Sequence, residues 1–311
     1  MTKPAPSLIE RAATVYDFGA HLRARVPVEL LSDEPPAIAP AMPSGPVAED
    51  TRPVLAPTVD AAPSFAPRGD GARVEAIDRA RLAQKGMIVP GAPIGSLAEE
   101  FRLVKRQLLL TAEKLAGARA RTMLVGSAKP GDGKTYNAIN LALSIAAERD
   151  VEVLLIDADF AKPDVMAELG LDEGPGLLDA LADHALDPEA LVVRTDVPHL
   201  SLLPVGAKTH SDTELLASRR TGEVIDRLLA ADPRRIILFD SPPALAASPA
   251  SVLALHVGQV MLVVRADRTT ETDVRQAVSL LDGCEHIHLV LNAVSFVPGG
   301  NRFGSYYGQG D

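Results

Sequence analysis

The chain reads as a doubly wound α/β protein built on a mostly parallel sheet. Three features predict this. Its strand candidates are continuous apolar runs rather than alternating ones, as expected for strands covered on both faces. Helical patterns fall between those runs. One apolar run opens into a glycine-rich turn that ends in Lys-Thr and continues as a helix.

Residues 1–26 form the first zone. Within it SLIERAATVYDFGAHL (7–22) has the pattern of a short amphipathic helix. Ser7 and Glu10 make a capping box, and Leu8, Ala12, Val15 and Leu22 share a face. Such a helix either lies on its own domain or docks on a partner. Residues 27–73 follow as a linker. Ten prolines between Pro27 and Pro67, set among Ala, Asp and Glu, leave too little apolar surface to offset ordering.

The domain is expected over 74–297. Its first helix is SLAEEFRLVKRQLLLTAEKL (96–115), with Leu97, Phe101, Val104, Leu108 and Leu109 on one side. The strand candidates are 122–127, 151–157, 199–205, 235–240, 259–264 and 286–292. Helices are expected over 134–148, 213–231, 247–256 and 271–282. The tail 298–311, PGGNRFGSYYGQGD, should be mobile; it carries Tyr306 and Tyr307, two of the chain's 4 tyrosines.

Composition narrows the function. At 311 residues and 47% hydrophobic the chain can bury one large core or two modest ones. A formal net charge of −10 disfavours general nucleic-acid binding, which needs clustered Lys and Arg. The single cysteine, Cys284, excludes an internal disulfide framework and suits a reducing cytosol. MTKPAPSLIERAATVYDF has no apolar stretch of the secretory kind, and runs such as VMLVV (260–264) are too short to span a bilayer. Membrane contact is therefore expected only through a partner. The histidines show no paired metal-ligand spacing, and no zinc is expected.

The chemistry gathers at AKPGDGKTY (128–136). Glycines let successive backbone N–H groups turn toward an anion, and the helix N-terminus adds its positive dipole end. The binding stretch runs through Pro130, Gly131, Asp132, Gly133, Lys134, Thr135 and Tyr136. Lys134 supplies an ammonium for the outer phosphates, and the Thr135 hydroxyl can ligate Mg²⁺. Tyr136 reads as a packing residue of the first helical turn. Ala128 stands where the usual loop begins with Gly, a turn position a small residue can fill. Lys129 is either a lysine that reaches across a dimer or a solvated loop lysine, and the sequence favours the second.

Two strands end in carboxylates: VLLIDAD with Asp157 and Asp159, and IILFDSPP with Asp240. Ligands of open α/β sheets gather beyond the carboxyl ends of strands, so all three should converge near Thr135. A single one would be read as a helix cap; three beside a phosphate loop point to Mg²⁺ and nucleophile handling. Asn292 ends the last strand and could read a base or serve a turn.

AKPGDGKT, LLIDADFAKP and IILFDSPP resemble the Walker A, A′ and B segments of bacterial protein-tyrosine kinases, within the deviant-Walker, MinD/ParA-like P-loop ATPases. SLIERA, AIDRARLAQKGMIVP (76–90), AEEFRLVKRQLL (98–109), NLALSIA (140–146), ELLASRR (214–220) and HVGQVMLVV (256–264) resemble the tyrosine autokinases of exopolysaccharide loci associated with exosortase and PEP-CTERM proteins. The resemblance covers 74–311 and the first helix.

It implies ATP-dependent phosphorylation of Tyr306 and Tyr307 in trans, with ATP and Mg²⁺ as cofactors. It assigns Asp157 to activating the tyrosine hydroxyl, and Asp159 and Asp240, with Thr135, to Mg²⁺. Glu99, Arg102 and Lys105 match the family's oligomerisation spacing, which implies a homo-oligomer. The implied partner is a transmembrane polysaccharide chain-length protein, which places the chain at the cytoplasmic face of the membrane. Ala161 stands where the family carries Arg, with Lys162 next to it as the substitute. Two other readings stand beside the kinase: a positioning ATPase of the ParA/MinD type, and an ATP-binding adaptor without phosphotransfer.

Overall fold

The computed structural model describes residues 74–294. The expected helix 7–22, the linker 27–73 and the tail 298–311 with Tyr306 and Tyr307 lie outside the described residues.

Eight strands form one sheet: β1 (Val74–Glu75), β2 (Thr122–Ser127), β3 (Glu152–Asp157), β4 (Val193–Thr195), β5 (Leu200–Leu203), β6 (Arg235–Asp240), β7 (Gln259–Arg265) and β8 (Ile287–Asn292). Their order is β1-β4-β5-β3-β6-β2-β7-β8. Among the described strands only the β4–β5 pair is antiparallel. Nine α-helices are described: α1 (Arg79–Gln84), α2 (Ser96–Lys114), α3 (Lys134–Ala146), α4 (Val165–Leu169), α5 (Leu177–Ala182), α6 (Asp212–Leu216), α7 (Arg220–Ala231), α8 (Pro249–Ala254) and α9 (Glu271–Leu280).

The continuous apolar strands have their cause in two separate cores. Leu124, Leu154, Ile156, Ile237, Phe239 and Leu262 point into one, covered by α5 through α9. Their neighbours Met123, Val125, Val153, Leu155, Leu238 and Met261 point into the other, covered by α1 through α4. Alternate residues of one strand thus serve opposite faces, and every position must be apolar. Helix α3 is buried from Asn137 through Ala146, because it is sandwiched between the sheet and α2. That is why NLALSIA lacks a polar face.

The expected doubly wound class is present, and most of its elements lie within a few residues of their predicted bounds. One long helix is not there. The predicted helix 213–231 breaks into α6 and α7. At the break the Ser218 hydroxyl donates to the Leu215 carbonyl and the Thr221 hydroxyl to the Leu216 carbonyl, both at 2.6 Å. These short side chains take the carbonyls that a continuing helix would have used. The short strands β1 and β4 and the short helices α1, α4 and α5 had no pattern long enough to read.

Candidate functional site

Strands β3, β6 and β2 lie side by side at the centre, and their C-terminal ends form one edge. Asp157 and Asp240 face each other in register, and Asp240 faces Val125 of β2. The loop from β2 to α3 leaves from the same edge. Its turns are made by Gly131 (φ +79°) and Gly133 (φ +99°), both in the left-handed region. Gly133 is the N-cap of α3, and no side chain caps that end. The first amides of α3 are therefore available to an anion.

Four charged groups meet above this edge. Lys134 Nζ pairs with Asp159 Oδ2 at 2.6 Å, and both side chains are nearly buried. Asp157 accepts the backbone N–H of Asp159 on one oxygen, and those of Asp164 and Val165 on the other. It thereby anchors the turn that brings Asp159 round to Lys134. Asp240 differs from both: it is fully buried, and neither of its oxygens has a hydrogen-bond partner. The Thr135 hydroxyl lies close enough to draw its pKa down but does not reach normal hydrogen-bonding geometry.

Electrostatics follow from this crowding. Burial, and then the neighbouring Asp240, push the Asp157 carboxyl up to about 7. Burial raises Asp240 to about 6 against the opposing pull of Lys134. For Lys134 burial is the largest single influence and lowers its pKa; Asp240, Asp159 and Asp157 together outweigh it, and the ammonium stays charged.

An orphaned carboxylate, a nearby hydroxyl and Asp159 make an all-oxygen donor set suited to a hard cation. Among the described residues, no group of three or more His, Cys, Asp or Glu side chains could cage a metal alone. A magnesium ion shared with phosphates needs only one or two protein oxygens, so the donor set fits Mg²⁺ delivered with a nucleotide.

Other expected residues are placed differently. The Asp132 carboxylate is buried and structural: one oxygen accepts the Lys129 N–H, the other the Thr269 hydroxyl. Lys129 Nζ pairs with Asp273 of its own chain, and this contact is the first cause holding Asp273 down at about 2. Tyr136 is a packing residue; its hydroxyl donates to the Gly86 carbonyl at 2.7 Å. Asn292 Nδ2 donates to the Asp132 carbonyl at 2.9 Å. Lys162 is exposed and paired with Asp164.

The three α2 residues do not share one task. Glu99 and Arg102 pair with each other at the surface. Lys105 is buried, its ammonium held by the Ser144 carbonyl at 2.7 Å and by Glu148 at 2.6 Å. Within the chain, Lys105 ties α2 to the C-terminal end of α3.

Sequence reasoning missed the segment after β7. Arg265 Nη1 donates to the Gly131 carbonyl at 2.8 Å, Thr269 holds Asp132, and Asp273 holds Lys129. The available signal was a charged residue closing the most apolar strand, QVMLVVR. An apolar groove of about 650 Å³ lies elsewhere, between residues 86–98, the end of α3 and residues 197–199; it contains none of the loop or carboxylate residues.

No family model matches the chain. Among curated proteins, EpsB of Ralstonia nicotianae, proposed by its name as a tyrosine-protein kinase, is 35% identical over 186 residues, 58% of this chain. The chain spans only 24% of the length of EpsB. The tyrosine-protein kinase YwqD of Bacillus subtilis is 28% identical over 208 residues, covering 67% of this chain and 85% of YwqD. Among solved structures, the VpsO kinase domain superposes with a TM-score of 0.52 at 30% identity, covering 63% of this chain and 98% of that domain.

Proposed function

The chain belongs to the bacterial tyrosine-kinase family, and from that premise we propose that it transfers the terminal phosphoryl group of ATP to tyrosines of its own kind. The observation that carries this reading is the pairing of Lys134 with a buried carboxylate edge in which Asp240 alone lacks a partner. Phosphoryl transfer asks a protein for positioning and charge neutralisation, and this edge supplies both.

The roles divide by environment. The amides of residues 131–135 and the Lys134 ammonium hold the phosphates. Asp240, Asp159 and the Thr135 hydroxyl would hold Mg²⁺, directly or through water. Such an ion would supply neutralisation of the charge that develops on the outer phosphates. Asp157, at about 7, is matched to neutral pH as a general base. The phenol oxygen forms its bond to the terminal phosphorus, its proton passes to Asp157, and ADP departs with the electrons of the broken P–O bond. Tyr306 and Tyr307 are the proposed acceptors, presented by a neighbouring copy.

The proposed setting is exopolysaccharide synthesis or export, beside a transmembrane chain-length partner. No described helix is long and apolar enough to cross a membrane. Glu99 and Arg102, paired at the α2 surface, are the proposed contact between copies. Phosphate dianions added to chains already at −10 would weaken such an assembly by repulsion. A positioning ATPase is the weaker reading, because Lys129 is engaged by Asp273 within its own chain.

Incubation of the full chain with Mg²⁺-ATP, followed by mass spectrometry, tests the proposal. Phosphate on Tyr306 or Tyr307 that disappears in Lys134→Met is expected. Hydrolysis without phosphotyrosine would replace the kinase by a switch, and binding without either by an adaptor.

A further inference from the structure

Two side chains outside the phosphate loop act on its outer surface. Arg265, the last residue of β7, donates to the Gly131 carbonyl, and Asn292, the last residue of β8, donates to the Asp132 carbonyl. These strands are neighbours, paired in register at Arg265 and Asn292 themselves. The two donors therefore stand side by side and grip two consecutive peptide groups of the loop.

Peptide planarity gives this grip a consequence. In a trans peptide the carbonyl of one residue and the N–H of the next point in opposite directions, and no peptide bond here is cis. Holding the Gly131 carbonyl toward β7 aims the Asp132 N–H away from it. Holding the Asp132 carbonyl toward β8 likewise aims the Gly133 N–H. Glycine at 131 and 133 leaves these planes free to rotate, so something else must set them. Asn292 also fills the space a side chain at 133 would need, with Nδ2 only 2.1 Å from the place of a Cβ.

We infer that Arg265 and Asn292 are positioning residues that pre-orient the loop amides toward the phosphates of the bound nucleotide. The inference rests on the reading of residues 130–135 as the phosphate site. It gives Asn292 a task other than reading the base, and Arg265 a task that depends on hydrogen bonding more than on charge.

The test is calorimetry of the full chain with ADP, at two salt concentrations, beside steady-state kinetics with ATP. One net hydrogen bond is worth about tenfold or less in affinity, so Arg265→Ala and Asn292→Ala should each weaken ADP roughly 3- to 10-fold. Amides that serve ground and transition state alike should raise KM by a similar factor and change kcat less. Arg265→Gln keeps a donor and removes the charge; it should recover most of the lost affinity at both salt concentrations.

A wild-type chain that binds ADP beside alanine variants of unchanged melting temperature that bind within twofold of it would overturn the inference. So would an Arg265→Gln variant as weak as Arg265→Ala, a comparison that holds even where alanine lowers stability. A wild-type chain that binds no ADP overturns the phosphate-site reading itself.

Discussion

Lys134 and Asp159 close on each other across the candidate site, Nζ to Oδ2 at 2.6 Å, with 12% and 4% of their side chains exposed. Each neutralises a charge that would be costly to bury alone. An incoming phosphate must compete with Asp159 for the same ammonium. Asp159→Asn removes that competitor. Without metal, the variant should bind ADP several-fold more tightly than the wild type, because the affinity no longer includes opening an ion pair. Added Mg²⁺ should then help the variant less. Calorimetry in a chelator and again in magnesium checks both arms.

The raised carboxyls set a pH dependence. Asp157 and Asp240 hold their protons to about 7 and about 6 when folded, but lose them near 3.8, the ordinary value for an aspartate, when unfolded. The folded state binds more protons between these limits, so their contribution favours folding at low pH and is lost as pH rises from about 4 to about 7. Asp240→Asn removes one such group. Its stability relative to the wild type in urea unfolding should grow between pH 5 and pH 7.5, while phosphotransfer is lost.

Gly133 cannot be replaced without moving two things. Its φ of +99° strains any L side chain, and a Cβ would displace Asn292 from the Asp132 carbonyl. Gly133→Ala should cost about 1–3 kcal/mol of stability and abolish measurable ADP binding at concentrations that saturate the wild type. Denaturant midpoints and calorimetry measure the two effects separately.

Lys105 caps the C-terminal end of α3 through the Ser144 carbonyl and ties it to α2. Lys105→Met should lower stability by about 1–2 kcal/mol at any protein concentration, as a lost charged hydrogen bond at a helix C-terminus requires. A role between subunits would instead show as dissociation in sedimentation, with monomer stability unchanged.

The fold was legible wherever a pattern ran long enough. The strands 122–127 and 235–240 are found with their predicted bounds, because a strand buried on both faces must be apolar at every position. The turns of the loop at Gly131 and Gly133 were legible because their backbone demands glycine. The helix break after α6 was not, since it depends on which carbonyl a serine or threonine hydroxyl meets. Asn292 was visible as a polar residue at a strand end; its target was not.

Local pattern alone, then, decided the class of fold, the glycine turn and the acidic edge opposite it, since each is enforced by backbone geometry or burial within a few consecutive residues. Only the folded chain decided that Asp240 stands unpartnered while Asp157 anchors a turn, that Lys105 faces inward, and that Arg265 and Asn292 grip the loop from behind. The last two contacts join residues more than a hundred positions apart. Which side chain meets which backbone group across such a span is set by strand order and register, and no stretch of sequence contains either.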